Sequence, residues 1–368
     1  MSEADDPTAA LLWAACRPEP DVAACEEARS SGADLGVAAQ LAVAQRISGL
    51  LWRVVRSWSA DDEQSWDGLR RDVKRCEAQA TLLRPRLADE LLRPLNAAGL
   101  MPLVFKGPAI AARYPKPGLR PMDDIDLVLP ADQRQAAIDA LSRVGWDVLA
   151  RTGEHYEVVL VHPALPGLPV ELHVELDVPK HQAFRLRAVD LWHARQPTTI
   201  FGVPAYGMAP ETELVALATH AAKPFHVFQR LLWSVDIAVL IGAVNAIGGS
   251  LDWDRVDRLA RQARARAAVA VALNQAARLG AESPERLRHL ETSTARRRAL
   301  GAVLDLNWPT VPRDVATTSR LPYALVDDPL LRVRLATSNI FAAGPAHAPE
   351  RVVNLTWRAG RRWWTLRR

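Results

Sequence analysis

The sequence predicts an α/β fold in which a mixed β-sheet core lies between two α-helical regions, and three observations predict it. First, apolar residues recur at helical spacing through roughly the first hundred residues, at 9–15, 35–47 and 50–58. Second, the stretch 99–209 carries short runs that alternate with a period of two. The clearest is Val170-Glu171-Leu172-His173-Val174-Glu175-Leu176. Third, the helical spacing returns at Pro210, where Glu211 and Glu213 put acids in a first helical turn. The expected regions are a helical 1–98, an α/β core 99–209, a helical 210–345 and a basic aromatic tail 346–368.

Each element follows from local pattern. Residues 66–95 read as one long helix that Pro85 kinks or breaks, and Ala98-Gly99 ends the helical region. Residues 101–129 read as strand, glycine turn at Lys106-Gly107, short helix, proline-glycine turn at Pro117-Gly118, and strand. A helix is expected over 130–144, stopped by Gly145. Residues 146–150 and 155–161 alternate as two strands, and 170–176 as a third. Residues 198–201 and 203–206 suggest a small hairpin. Helices are expected over 211–222, 226–243, 252–264, 267–279, parts of 284–304, and 330–342.

Composition narrows the class. The chain has 368 residues, enough for two or three domains, and a net charge of +4, too modest by itself to argue for a nucleic-acid partner. No apolar run has bilayer length, and the acidic start M-S-E-A-D-D does not resemble a signal peptide, so the expected compartment is the cytoplasm. Cys16, Cys25 and Cys76 form no C-x-x-C pair and leave an odd count, which reads as reduced thiols.

The chemistry gathers around Asp124 and Asp126. On a strand their side chains share one face, while Ile125 and Leu127 share the other. Two neighbouring carboxylates repel, and burying them is costly unless a cation joins them; Mg²⁺, with oxygen ligands and substrate phosphates, suits such a pair. If the strand holding Glu171 adjoins, three carboxylates converge, enough to hold one or two Mg²⁺ ions on a triphosphate. Lys106-Gly107 closes the first strand and offers a phosphate both backbone N–H groups and a compact charge. The choice of residue is informative, because only five lysines stand among the 46 basic residues.

The run F-K-G, then R-P-M-D-D-I-D-L-V, then V-E-L-H-V-E-L resembles the bacterial uncharacterised nucleotidyltransferase family, within the polymerase-β-like nucleotidyltransferase superfamily. A second block carries the likeness to about residue 265: L-A-T-H-A-A-K, R-L-L-W-S-V-D-I-A and L-D-W-D. The resemblance implies an α+β nucleotidyltransferase core. Asp124 and Asp126 take the paired carboxylate positions, Glu171 takes the third, and Lys106-Gly107 stands where the superfamily has Gly-Ser. It implies Mg²⁺-dependent transfer of a nucleoside monophosphate from an NTP such as ATP to a hydroxyl-type acceptor, a small molecule or a peptide, with release of pyrophosphate. The altered turn motivates an alternative, a catalytically degenerate nucleotide-binding or scaffold protein of the same fold. A second His is expected near Lys223, and His226 is placed to serve.

Further candidates carry two readings each. Arg120 holds a phosphate or merely pairs with Asp123. His173 binds substrate or pairs with a carboxylate. His220 and Lys223, like Trp233 and Asp236, are three residues apart on helices, and so line the far side of a nucleotide cleft or form an interhelical polar network. Asp252 and Asp254 read as helix caps. The tail 358–368, with Trp363 and Trp364 among arginines, suits nucleic acid or an anionic membrane, but a packed or frayed terminus is the favoured reading.

Overall fold

Three aspartates set the first three helices. Asp6, Asp21 and Asp34 each accept a backbone N–H, from Thr8, Ala24 and Val37, and so cap α1 (Pro7–Ala15), α2 (Val22–Ser30) and α3 (Leu35–Ala44). Helix α4 (Ser48–Val55) follows, then α5 (Asp67–Arg86). Pro85 neither breaks nor ends the long helix. The last turn of α5 runs into a π-helical segment, Leu87–Leu92, and then α6 (Arg93–Ala97). The wider turn accommodates a residue that has no N–H to donate. The computed structural model describes residues 6–58, 66–151, 156–176, 182–224, 226–289, 296, 300–301 and 321–332.

The middle of the chain forms a seven-stranded mixed sheet. Its strands are β1 (Leu103–Phe105), β2 (Ile125–Val128), β3 (Asp147–Arg151), β4 (Glu157–Val161), β5 (Val170–His173), β6 (Arg195–Ile200) and β7 (Val203–Met208), in the order β3-β4-β5-β2-β1-β7-β6. Strand β2 runs antiparallel to β1 and parallel to β5. The β6–β7 hairpin turns at Phe201 and Gly202, both left-handed, which suits a two-residue turn. It extends the main sheet beside β1 instead of standing apart. Strand β5 ends at His173, three residues before the alternation does.

Four short helices accompany or leave the sheet: α7 (Gly107–Ala111), α8 (Arg134–Ser142), α9 (Ala188–His193) and α10 (Pro210–Ala221). Helices α11 (Leu231–Ala246), α12 (Trp253–Gln262), α13 (Arg266–Arg278) and α14 (Glu285–Arg288) follow. Asp252 caps α12 through the Arg255 N–H. The helix expected from residue 226 begins only at Leu231. Val227 and Phe228 are fully buried with φ of 38° and 58°, and the Phe228 N–H bonds back to the Ala221 carbonyl, so a tight turn replaces the first helical turn.

Two cores position the site. Ile125 and Leu127 of β2 and Val170 and Leu172 of β5 pack with Leu87, Leu91 and Leu95 and with Ile138 and Leu141 of α8. That apolar face leaves Asp126, Glu171 and His173 on the other face of the sheet. The second core joins α1 and α4 to α10, α11 and α13: Leu11, Leu51, Leu217, Val235 and Val271 belong to one cluster. The two helical regions, distant in sequence, therefore share a single interior. No helix among the described residues is long and apolar enough to cross a membrane. The tail 346–368, and all but the start of the helix expected at 330–342, lie outside the described residues.

Candidate active site

Strand register brings the acids together. Asp126 of β2 is the direct partner of Glu171 on the parallel strand β5 and of Phe105 on β1. Asp124 lies one residue before β2, half-buried and near enough to Asp126 and Glu171 for both to repel its charge, but outside the three groups that could share an ion. Asp126 is completely buried. One ligand atom each from Asp126, Glu171 and His173 lie within 4.8 Å of one another, close enough to share a metal ion.

His173 was not expected in that set, where three carboxylates were. Its Nε2 is 2.9 Å from Asp126 Oδ1 and 3.4 Å from Glu171 Oε2, and its Nδ1 is 3.5 Å from Glu157 Oε2. Burial alone would depress its pKa, but the hydrogen bonds to Asp126 and Glu171 outweigh that and push it up to about 10. The imidazole is therefore a charged donor to the carboxylates. Glu157, opposite His173 on β4, had no signal beyond its place in an alternating strand.

Lys106 is the second cation. Its Nζ lies 2.8 Å from Asp126 Oδ1 and 3.3 Å from His220 Nδ1. Burial would lower its pKa, but Asp126, Asp124 and Glu171 raise it. The same cations hold Asp126 well below the usual carboxylate range, against the effect of burial. Asp124 goes the other way, pushed up to about 7 by burial and then by repulsion from Asp126 and Glu171. Three carboxylates thus face two cations, and Asp126 Oδ2 is buried without a hydrogen-bond partner. A buried oxygen without a partner beside a repelled acid is what a divalent cation would relieve. The donor set fits one.

The turn at Lys106 differs from the expectation. The left-handed residue is Lys106 itself, at φ 55° and ψ −130°, and not Gly107. A lysine in backbone geometry that favours glycine is strained, and such strain persists where the surroundings hold it. Helix α7 has only five residues, too few to make its N-terminus a phosphate site. What the turn offers a phosphate is the lysine charge.

The opposite wall comes from α10 and the turn after it. Lys106, Asp126, His173, His220 and Lys223 line one cleft with Phe184, a residue of the stretch 177–209 that local pattern left mostly unassigned. The His220 ring packs 4.6 Å from that of His226, and both lie against Trp233, at 5.5 and 4.8 Å. His220 stays neutral, its pKa well lowered by burial and then by Lys106. It thus accepts a hydrogen bond from the ammonium. Lys223 Nζ donates to the Leu176 carbonyl at 2.6 Å.

Arg120 and Asp236 require correction. Each carried a binding reading and a structural one, a carboxylate pair for Arg120 and an interhelical polar network for Asp236, and they hold each other. Arg120 Nη2 donates to Asp236 Oδ2 at 2.9 Å and Nε to Oδ1 at 3.2 Å, while Tyr114 OH donates to Oδ1 at 2.8 Å. Asp236 is completely buried and Arg120 nearly so. This pair joins the sheet domain to α11. Asp123, the other suggested partner of Arg120, pairs with Arg46 and Arg230 instead.

The model of the uncharacterised nucleotidyltransferase family matches residues 31–281, from the end of α2 to just beyond α13. No curated protein is similar enough to the chain to count as a match.

Proposed function

The chain belongs to the uncharacterised nucleotidyltransferase family, and on that footing we propose that it transfers a nucleoside monophosphate from an NTP to a hydroxyl-type acceptor, with Mg²⁺ bound at Asp126 and Glu171. The observation that carries this reading is the buried, partnerless Oδ2 of Asp126 beside Glu171 in direct register. Asp124 completes the acidic face. A divalent cation bound there, or a pair of them, supplies charge neutralisation on the phosphates and lowers the pKa of the acceptor hydroxyl.

The chain's own groups do the rest. Lys106 exchanges Asp126 for a phosphate oxygen of the nucleotide. His173 keeps Asp126 and Glu171 oriented through its hydrogen bonds to both. Glu171, half-exposed, is placed to receive the acceptor's proton. The acceptor oxygen bonds to the α-phosphorus as the bond to the pyrophosphate oxygen breaks. His220 and Lys223 face this centre across the cleft.

The test is pyrophosphate release from each labelled NTP with Mg²⁺ and cell extract as the acceptor source. Labelled product with wild type and none with Asp126→Asn supports the transferase. Undiminished Mg²⁺-dependent NTP binding in the Asp124→Asn, Asp126→Asn double variant overturns it. One observation favours the degenerate-site alternative, the Lys106–Asp126 ion pair across the acidic face. Nucleotide binding without any pyrophosphate release would establish that alternative.

A further inference from the structure

A cationic cluster outside the acidic face is left without a role. Arg46 and Arg230 both pair with Asp123, the residue immediately before Asp124. The two arginines come from different helical regions of the chain, Arg46 between α3 and α4 and Arg230 just before α11. Arg46 follows α3 in a left-handed conformation, φ 63°. Its neighbour Gln45 accepts the buried Leu231 N–H at 2.7 Å through Oε1. That bond ties the end of α3 to the start of α11, next to Arg230. The Arg230 guanidinium lies 5.6 Å from the Trp233 ring centre, and Trp233 continues through His220 to Lys106. A cationic and aromatic row thus runs from the acidic face to the Arg46–Arg230 pair.

We propose that Arg46 and Arg230 form a clamp for a phosphoryl anion, and that the Asp123 carboxylate holds their place until the anion arrives. Asp123 and Arg230 are both substantially exposed, so that pair contributes little stability and costs little to exchange, while Arg46 is mostly buried and needs an anion in place of Asp123. A polyphosphate brings more negative charge and more acceptor oxygens, and two planar guanidinium forks are suited to it. Asp123 and Asp124 are consecutive and the Asp123 charge acts on Asp124, so the clamp adjoins the proposed metal-binding acids. The clamp rests on the nucleotidyltransferase reading only for the source of its anion: the phosphate tail of the nucleotide, or a phosphate on the acceptor.

The experiment is calorimetric titration of the full chain with inorganic tripolyphosphate, without metal. Wild type binds; Arg46→Gln and Arg230→Gln each weaken binding roughly tenfold, the worth of one charge-assisted contact, and Asp123→Asn tightens it. Thermal melts confirm that each variant is folded, and the gain in Asp123→Asn cannot come from misfolding. Equal affinity in wild type and both arginine variants, or no gain in Asp123→Asn, overturns the clamp. Asp126→Asn retains tripolyphosphate binding if the clamp is right, whether or not it abolishes transfer, so the two proposals fail separately. Displacement of tripolyphosphate by ATP assigns the clamp to the nucleotide tail. Persistence of tripolyphosphate against ATP assigns it to a phosphorylated acceptor.

Discussion

Asp126 and Arg120 lie six residues apart, and they show what a single side chain's surroundings decide. Asp126 is a buried carboxylate with two cationic partners on one oxygen and none on the other. Replacing it with Asn keeps the shape and removes the charge that the proposed divalent ion would need. Asp126→Asn should lower Mg²⁺-dependent pyrophosphate release by about a thousandfold, equivalent to several kcal/mol of lost charge stabilisation. Arg120 has the opposite character, since its partner Asp236 is completely buried. Arg120→Leu leaves that carboxylate buried beside only Tyr114, and should cost about 3–5 kcal/mol in urea denaturation. A variant of full stability with weakened NTP binding would restore the phosphate role instead. Asp126 was legible because alternation along a strand is a local rule. The partner of Arg120 was not, because it lies 116 residues away.

Turns and strand ends were read well where one residue's backbone requirement decides them. Gly118 of the proline-glycine turn has φ 88°, and a Cβ there would stand 3.0 Å from the Glu77 Cα on α5. The position needs glycine twice over, for conformation and for space. Gly118→Ala should destabilise by about 1–3 kcal/mol, as a lower melting temperature. An unchanged melt would mean that α5 yields at Glu77. Gly145, at φ 95°, stops α8 as its place in the sequence suggested. The turn after α10 was misread as helix because Val227 and Phe228 fit a helical spacing equally well. Burial in the shared core, with His226 Nδ1 bonded to the His220 carbonyl, holds them left-handed.

Across the molecule, the first and last helical regions close on each other through one interior. Leu51 of α4 is fully buried there, and Leu51→Ala should cost about 2–5 kcal/mol. The loss should appear as a single shifted transition by circular dichroism; two separate transitions would mean that the regions unfold independently. Acid should draw stability out of the fold through His226, against an opposing gain from Asp124, whose carboxyl is pushed up to about 7. Burial, and then Lys223, hold the half-buried His226 down to about 3, against 6.5 ordinarily. The unfolded chain therefore binds this proton first. The His226 contribution to stability is full above about pH 6.5 and falls as the pH drops toward 3. Between pH 7 and pH 5 the loss is at most about 2 kcal/mol by linkage. Lowering the pH from 7 to 5 should change the urea midpoint less favourably in wild type than in His226→Gln; an equal change in both would exclude a contribution from His226.

Local pattern was enough for most of the helices and strands, though not for α2 or α9, and for the acidic strand that brings Glu171. Those depend on periodicity and on the backbone needs of glycine and proline, which act over a few residues. Strand order, the pairing of β2 with β5, the His173 bridge, the Lys106–Asp126 contact and the junction of Gln45 and Arg46 with Arg230 and Leu231 came from closure of the chain over long distances. Which partner satisfies a buried charge is settled by all the groups competing for it, and only the folded chain brings those competitors together.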